Sequence, residues 1–587
     1  MKARSIFAVF PLAVLLNVAA WSQRATGVIS GRVVAEDGQP IPRATVSVTA
    51  SGKMNRRVVV VTDEEGSFRA HGLDSAAYTV TAIAPGYVFR PQNEAGAIAR
   101  RAPNYNYIGD VVTVTMLKGG VITGRVMNAA GEPVISIPVV ATRVRDEDGR
   151  PLSAPETINT FPQRQTDDRG VYRLYGLAPG SYIIHAGGSA GGSGYPTRPT
   201  PFDSRMLTYH PSATRDTATE ITVRGGEEAS GIDIRYRGER GYIISGKITG
   251  LPATGGPAHI IARKAGADLV VATTSPPRGA ENGYAFYGLP NGEYEVIATR
   301  DSSNDDNAFA SAPRRTLVNG RDVGGVDLAL TPLATLAGRV SIEKAGEKAG
   351  EKAGAARKCE AARESQLNEV VVRAHRDEPG EKAAPPPSPE AQLPAGEAAE
   401  DGAFSIRGLN AGRYRLEPLL PGADWYVKEM RLSVAPVAAR DIARNGVTLK
   451  PGERLAGAQV TLDAAAAGLK GKIAAVAGSK LPARMRAYLA PAEPEARDEA
   501  LRFAETRADG DGAFNFSNVA PGKYWLLAQP ISDAEPNDRP ARPVAWDSAE
   551  RAKLRREAET ANILIELKPC QRVSGYALHY GKSANNN

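Results

Sequence analysis

DDRGVYRLYGLAPGSYIIHA, residues 167–186, is one of five related stretches in the chain. The others are DEEGSFRAHGLDSAAYTVTA from 63, AENGYAFYGLPNGEYEVIA from 280, AEDGAFSIRGLNAGRYRLEP from 399 and GDGAFNFSNVAPGKYWLLA from 510. Asn282-Gly283, Asp401-Gly402 and Asp511-Gly512 are hairpin dipeptides, because such turns need positive φ and these residues tolerate it. Gly66 and Gly170 keep the glycine of the same turn. An alternating strand follows, in which Phe68 and Ala70, Tyr172 and Leu174, Tyr284 and Phe286, Phe404 and Ile406, and Phe514 and Phe516 share one inward face. Pro179-Gly180 and Pro521-Gly522 then set a fixed φ before a positive one, with Gly292 and Gly412 at the same place in the near variants. Tyr182, Tyr294, Tyr414 and Tyr524 each come two residues after such a glycine, and Tyr78 holds the position in the first copy. Constant spacing around a turn suits a tyrosine corner, with the ring packed and the hydroxyl bonded to nearby backbone. A ligand-binding role for these tyrosines explains that spacing less well.

Upstream of each stretch lies a short strand centred on glycine: VISGRV (28–33), VITGRV (121–126), IISGKI (243–248), TLAGRV (335–340) and GLKGKI (468–473). Aliphatic residues two before and two after the glycine face inward, and the glycine itself implies close backbone approach or a bulge. Closing strands are expected at 111–117, 231–236, 325–330, 458–462 and 562–567. Short strands at regular spacing, turns between them and no convincing long helix predict an all-β chain. The expected architecture is five tandem antiparallel Greek-key β-sandwiches over 27–118, 119–238, 239–332, 333–463 and 464–568, with a tail over 569–587.

The order GRV, an AxVxV-type strand, DxxGxFxxxGLxPGxYxVxA and APGY (84–87) resembles the carboxypeptidase regulatory-like domain, a transthyretin-like sandwich. The stretches TYHPSAT (208–214) and ITVRGGEEASGIDIRY (221–236) are similar to tandem arrays of this domain in exported bacterial proteins. The resemblance spans nearly the whole chain after its first residues and is weakest in the fourth repeat, which carries insertions. It implies a fold and a non-catalytic role. Kinship with carbohydrate-binding-like folds is an analogy only.

Residues 1–20 read as an export signal: Lys2 and Arg4, an apolar run from Ile6 to Val18, then small residues at Ala19 and Ala20. A secreted, periplasmic or cell-surface location is expected, with no transmembrane segment in the mature chain. A formal charge of +7 over 587 residues, without a basic block, argues against nucleic acid as a partner. The two cysteines, Cys359 and Cys570, stand in different repeats, and nothing in the sequence favours their pairing, so stability is expected from core burial. The low-complexity runs at 343–366 and 378–401 are expected to be exposed loops on the fourth sandwich.

Catalytic chemistry finds little support. His375 and Glu378 match His-x-x-Glu, but a zinc peptidase needs a third ligand and a rigid pocket. TDDRG (166–170) and DGDG (509–512) lack the ligand series of a calcium loop and read as turns. No nucleophile elbow, phosphate loop or dinucleotide fingerprint stands out. No enzyme activity, metal or cofactor is expected. The candidates for binding are loop aromatics, Tyr87, Trp425 and Tyr426, which could stack on sugar rings if exposed, with Trp546 and Tyr195 ambiguous. A cell-surface glycan or an envelope protein is the partner class they suggest. The resulting expectation is a non-enzymatic scaffold, spacer or adhesion module of the cell envelope, with glycan binding as the alternative.

Overall fold

The computed structural model describes residues 27–580 except 52–55, 90–104, 158–164, 189–201, 252–257, 267–269, 277–281, 301–307, 344–358, 360–362, 378–393, 435, 476–479, 533–534 and 536–541. The expected leader, Tyr195, Glu378 and much of both insertions lie outside the described residues.

The chain is an all-β tandem array. Each repeat opens with the glycine-centred strand: Gly27–Ala35, Gly120–Met127, Tyr242–Thr249, Ala334–Ile342 and Ala467–Ala475. This entry strand pairs antiparallel with the motif strand in one recurring register. Gly31 lies opposite Phe68, Gly124 opposite Tyr172, Gly246 opposite Tyr284, Gly338 opposite Phe404 and Gly471 opposite Phe514. Each ladder then slips by one residue at Gly72, Gly176, Gly288, Gly408 or Asn518, whose φ values lie between +58° and +76°. A bulge that needs a left-handed residue takes glycine, or asparagine where glycine is missing.

Across from it, the AxVxV-type strand pairs with the tyrosine strand, in a second sheet everywhere but the third repeat, where one eight-stranded sheet curls round to hold both layers: Thr45–Ala50 with Tyr78–Ile83, Val139–Arg145 with Gly180–Ala186, and His259–Lys264 with Gly292–Arg300. Val371–Arg376 with Gly412–Leu419 and Met485–Pro491 with Gly522–Pro530 complete the set. The inward residues of both sheets meet in a separate core for each repeat. In the first, Ile29, Val33, Phe68, Val46, Val80 and Val114 meet; in the fifth, Leu469, Ile473, Phe514, Leu526 and Leu578 do. Each such aliphatic burial contributes about 1.5–3 kcal/mol.

Every repeat also contains pairing that is not antiparallel. The entry strand runs parallel to the closing strand, with Val33 beside Val114, Val126 beside Ile234, Ile248 beside Leu328, Val340 beside Val460 and Ile473 beside Leu578. The chain therefore leaves each sandwich at the end opposite its entry. Lys118 closes the first and Gly120 opens the second, Pro332 closes the third and Ala334 opens the fourth.

Two sequence expectations for the fifth repeat are corrected. Leu564–Leu567 is not its closing strand but pairs with the tyrosine strand, Leu567 opposite Gly522. The closing strand is Arg572–Tyr580, within the stretch expected to be a tail, because the alternation of RVSGYALHY places Leu578 in the core. There is also a 14-residue helix, Ser548–Ala561, where no long helix was expected. Asp547 caps it by accepting from the backbone N–H groups of Ala549 and Glu550, and Asn562 ends it in the left-handed conformation. Its buried Arg551, Leu554 and Ala558 cover the outer face of the sheet beside Tyr488, Ala490 and Phe503.

Candidate functional site

The repeated residues are engaged within their own sandwiches. Tyr78, Tyr182, Tyr294, Tyr414 and Tyr524 are all buried. Each hydroxyl donates to the carbonyl four residues earlier, on Asp74, Ala178, Pro290, Asn410 and Ala520, at 2.6–2.9 Å. Gly180, Gly292, Gly412 and Gly522 take φ values of +148° to +156° beside Pro179, Asn291, Ala411 and Pro521. In the first turn, Gly66, Gly170, Gly402 and Gly512 have φ of +71° to +85°. The third copy is shorter, and there Asn282 (φ +49°) takes the left-handed position in place of Gly283.

The acidic residues of the turns are likewise engaged. Asp167 Oδ1 accepts from the backbone N–H groups of Arg169 and Val171 at 2.9 and 2.8 Å. The Val171 hydrogen bond is the main cause holding its carboxyl below the ordinary range. Among the described residues no group of three or more His, Cys, Asp or Glu could hold a metal ion.

The expected binding aromatics are not brought together and are not exposed loops. Tyr87 is half-buried in a short strand, Tyr87–Phe89, on the closing strand of the first sandwich. Trp425 is 5% exposed and belongs to the core of the fourth, which corrects the expectation of a stacking platform there. A large apolar ring two residues beyond Ala423 is more stable under the sheet than in water. Tyr426 opens the strand Tyr426–Val434 opposite Asp463; burial, then Asp463, pushes its phenol up. Exposed aromatics occur instead at Tyr175 and Tyr287, 48% and 54% exposed, at one motif position in consecutive repeats. Alternation from Tyr172 and Tyr284 puts both outward, a signal already present in the sequence.

His375 faces Glu417, with Nε2 to Oε2 at 2.7 Å, and its ring packs against Trp546 from the fifth repeat at 5.3 Å with the planes tilted by 57°. This contact belongs to an interdomain junction that sequence reasoning missed. Asp377 is 3% exposed and accepts from Arg415 Nε and Arg542 Nε, each at 2.7 Å. Burial alone would raise its carboxyl, but the Arg542 and Arg415 hydrogen bonds outweigh that and hold it low. Arg415 also donates to the carbonyls of Ala443, Arg444 and Trp546. Asn518 donates to the carbonyls of Gly422 and Trp425 across the same junction. Cys359 and Cys570 are disulfide-bonded, joining fourth and fifth repeats that the sequence had left to core burial.

A second junction brings the first repeat onto the fourth. Ala77, Tyr107 and Val371 form a small buried cluster, with Tyr105 and Leu419 packed beside it. Around it, the Ser75 hydroxyl lies 3.0 Å from Glu369 Oε1 and 3.1 Å from Asn368 Oδ1. Arg363, which pairs with the fully buried Glu369, sits 5.3 Å over the Tyr107 ring. Residues 363–366 were expected to be an exposed loop; Glu364 and Gln366 are exposed, but Arg363 packs here and Ser365 is buried, because the buried Glu369 needs the Arg363 charge beside it.

The carboxypeptidase regulatory-like domain model matches residues 28–101. No curated protein matches the chain. Among solved structures, the chain is similar to the Bacillus anthracis TIE protein, at 14% identity over 52% of this chain and 51% of that one, with a TM-score of 0.14. It is also similar to BcpA, the major pilin subunit of Bacillus cereus, in a D312A form, at 12% identity over 52% of this chain and 99% of that one, TM-score 0.14. GBS52, the minor pilin of Streptococcus agalactiae, has 11% identity over 39% of this chain and 99% of that one, TM-score 0.19. The chain spans about half the length of the first of these. The protein is accordingly a tandem β-sandwich array whose first unit, over residues 28–101, matches the carboxypeptidase regulatory-like domain.

Proposed function

We propose that the chain is an exported, non-enzymatic scaffold of the cell envelope that presents a fixed arrangement of β-sandwiches. The observation that carries this reading is the use of the repeated residues. In all five copies the corner tyrosine bonds its own turn and the motif aromatic lies opposite the entry glycine, so the repeated motif is spent on folding. Sandwiches joined with almost no linker, and tied by an interdomain disulfide, suit an oxidising compartment and a mechanical role. Among the described residues no helix is long and apolar enough to cross a membrane.

The test is to produce the chain with its own leader, fractionate the cells and treat intact cells with protease. Retention in the envelope with cleavage from outside supports the scaffold; a wholly cytoplasmic product, or turnover of peptide, ester or glycoside substrates by the purified protein, refutes it. A second reading, polymer binding, is favoured by the paired exposure of Tyr175 and Tyr287. Retention on an envelope polysaccharide column that disappears in the Tyr175→Ala, Tyr287→Ala double variant would select it.

A further inference from the structure

The disulfide and the first-to-fourth junction lie on one short piece of chain. Cys359, bonded to Cys570 two residues before the last strand, is four residues before Arg363. Arg363 Nη1 holds Glu369 Oε1 at 2.5 Å, its Nη2 lies 3.4 Å from the Pro421 carbonyl, and its guanidinium covers Tyr107. Glu369 also accepts from the Gln366 N–H at 2.9 Å, and Asn368 donates to the Ser75 carbonyl at 3.1 Å. Ser365 reaches Asp424 at 3.1 Å, which fastens the segment to the fourth sandwich. The surface that receives the first sandwich is therefore a strap, held at one end by the strand Val371–Arg376 and at the other by the disulfide.

We propose that the Cys359–Cys570 disulfide is a redox-sensitive clasp: oxidised, it holds the 363–371 strap against the fourth sandwich and keeps the first sandwich docked; reduced, it loosens both. Both cysteines are partly exposed, so a small thiol can reach them. A dithiol reductant delivers two electrons and two protons, the S–S bond breaks, Cys359 and Cys570 become thiols and the reductant leaves as its own cyclic disulfide. With the bond intact, Val370 lies 11 positions along the chain from a fixed residue, Cys359; without it, the nearest fixed residue upstream is Ile342 at the end of the entry strand, 28 positions away. Loop closure alone then weakens docking by roughly fourfold.

The experiment is hydrogen–deuterium exchange on the full chain, oxidised and after dithiol reduction, with the Cys359→Ser variant alongside. Opening of the clasp is read in peptides covering 105–110 and 363–371, with 180–186 in the second sandwich as the internal control. Exchange at least about fourfold faster in the first two after reduction, with the control unchanged, is the expected result. Tyr107→Ala should open the same two peptides whatever the redox state. If Cys359→Ser does not fold, reduction of the native chain gives the same comparison. Unchanged exchange at 105–110 and 363–371 after reduction overturns the clasp, and so does an equal rise in the control peptide.

Discussion

Gly124 shows how little freedom the repeated positions have. A Cβ there would stand 2.0 Å from the Ile232 carbonyl oxygen and 3.0 Å from the Tyr172 hydroxyl, and Tyr172 itself donates to that carbonyl. At Gly338 the corresponding neighbours are the Ala458 carbonyl at 2.2 Å and the Phe404 ring at 2.7 Å. The obstacle is backbone of the parallel closing strand, which cannot rotate away. Gly338→Ala should therefore cost about 1–3 kcal/mol or more by overpacking, read as a lower unfolding midpoint of the chain. His185 gives a pH prediction at the same scale. Burial, and then Arg215, lower its pKa from 6.5 to about 4, and its ring packs 5.1 Å from Tyr209 with Nδ1 out of contact with solvent. Because the folded value is the lower one, the unfolded chain binds more protons between the two. Stability is thus complete above pH 6.5 and declines as pH falls toward 4. Calorimetry across that range should show the decline in the native chain and a flatter profile in His185→Phe.

At the scale of the element, the fifth repeat is the instructive one. Leu564–Leu567 carries apolar alternation and ends near the expected boundary, yet it adds to the tyrosine-strand sheet. Arg572–Tyr580 supplies the parallel partner of the entry strand and buries Leu578. Leu578→Ala should destabilise the fifth sandwich by about 2–5 kcal/mol, whereas an unstructured tail would tolerate it; denaturant unfolding monitored at Trp525 separates the two outcomes. Parallel pairing of strands separated by a whole sandwich is a long-range contact, and local periodicity carries no information about it. The helix is a different case. Asp547, Glu550 and the Leu554–Ala558 stripe were all present as a cap and an amphipathic face in the sequence, overshadowed by the strand repeat around them.

For the whole molecule, the junctions decide the arrangement. The parallel entry and closing strands send the chain onward from each sandwich, but the first still meets the fourth through Ala77, Tyr107 and Val371. The fourth and fifth are held as one unit by Asp377 and its arginines, by Asn518 and by the disulfide. Asp377→Asn leaves Arg415 and Arg542 facing a neutral group in a buried site and should cost about 3–5 kcal/mol. Since the Asp377 carboxyl is held below its ordinary 3.8, its contribution is complete above that pH and is lost as pH falls through the lower folded value. Acid unfolding of the native chain below pH 3.8, compared with an Asn variant that lacks this dependence, checks the assignment.

Five repeats, their inward faces, the turns and the corner tyrosines could all be read from the order of residues alone. They depend on contacts a few residues apart or on a period of two, and such contacts leave a local trace, as at Pro179-Gly180-Ser181-Tyr182. Folding in three dimensions alone decided which strand closes the last sandwich, that Trp425 is core, that Cys359 meets Cys570, and that Arg363 covers Tyr107. These pairings join residues up to 256 positions apart, and their partners are chosen by shape and charge at surfaces that exist only once each sandwich has formed.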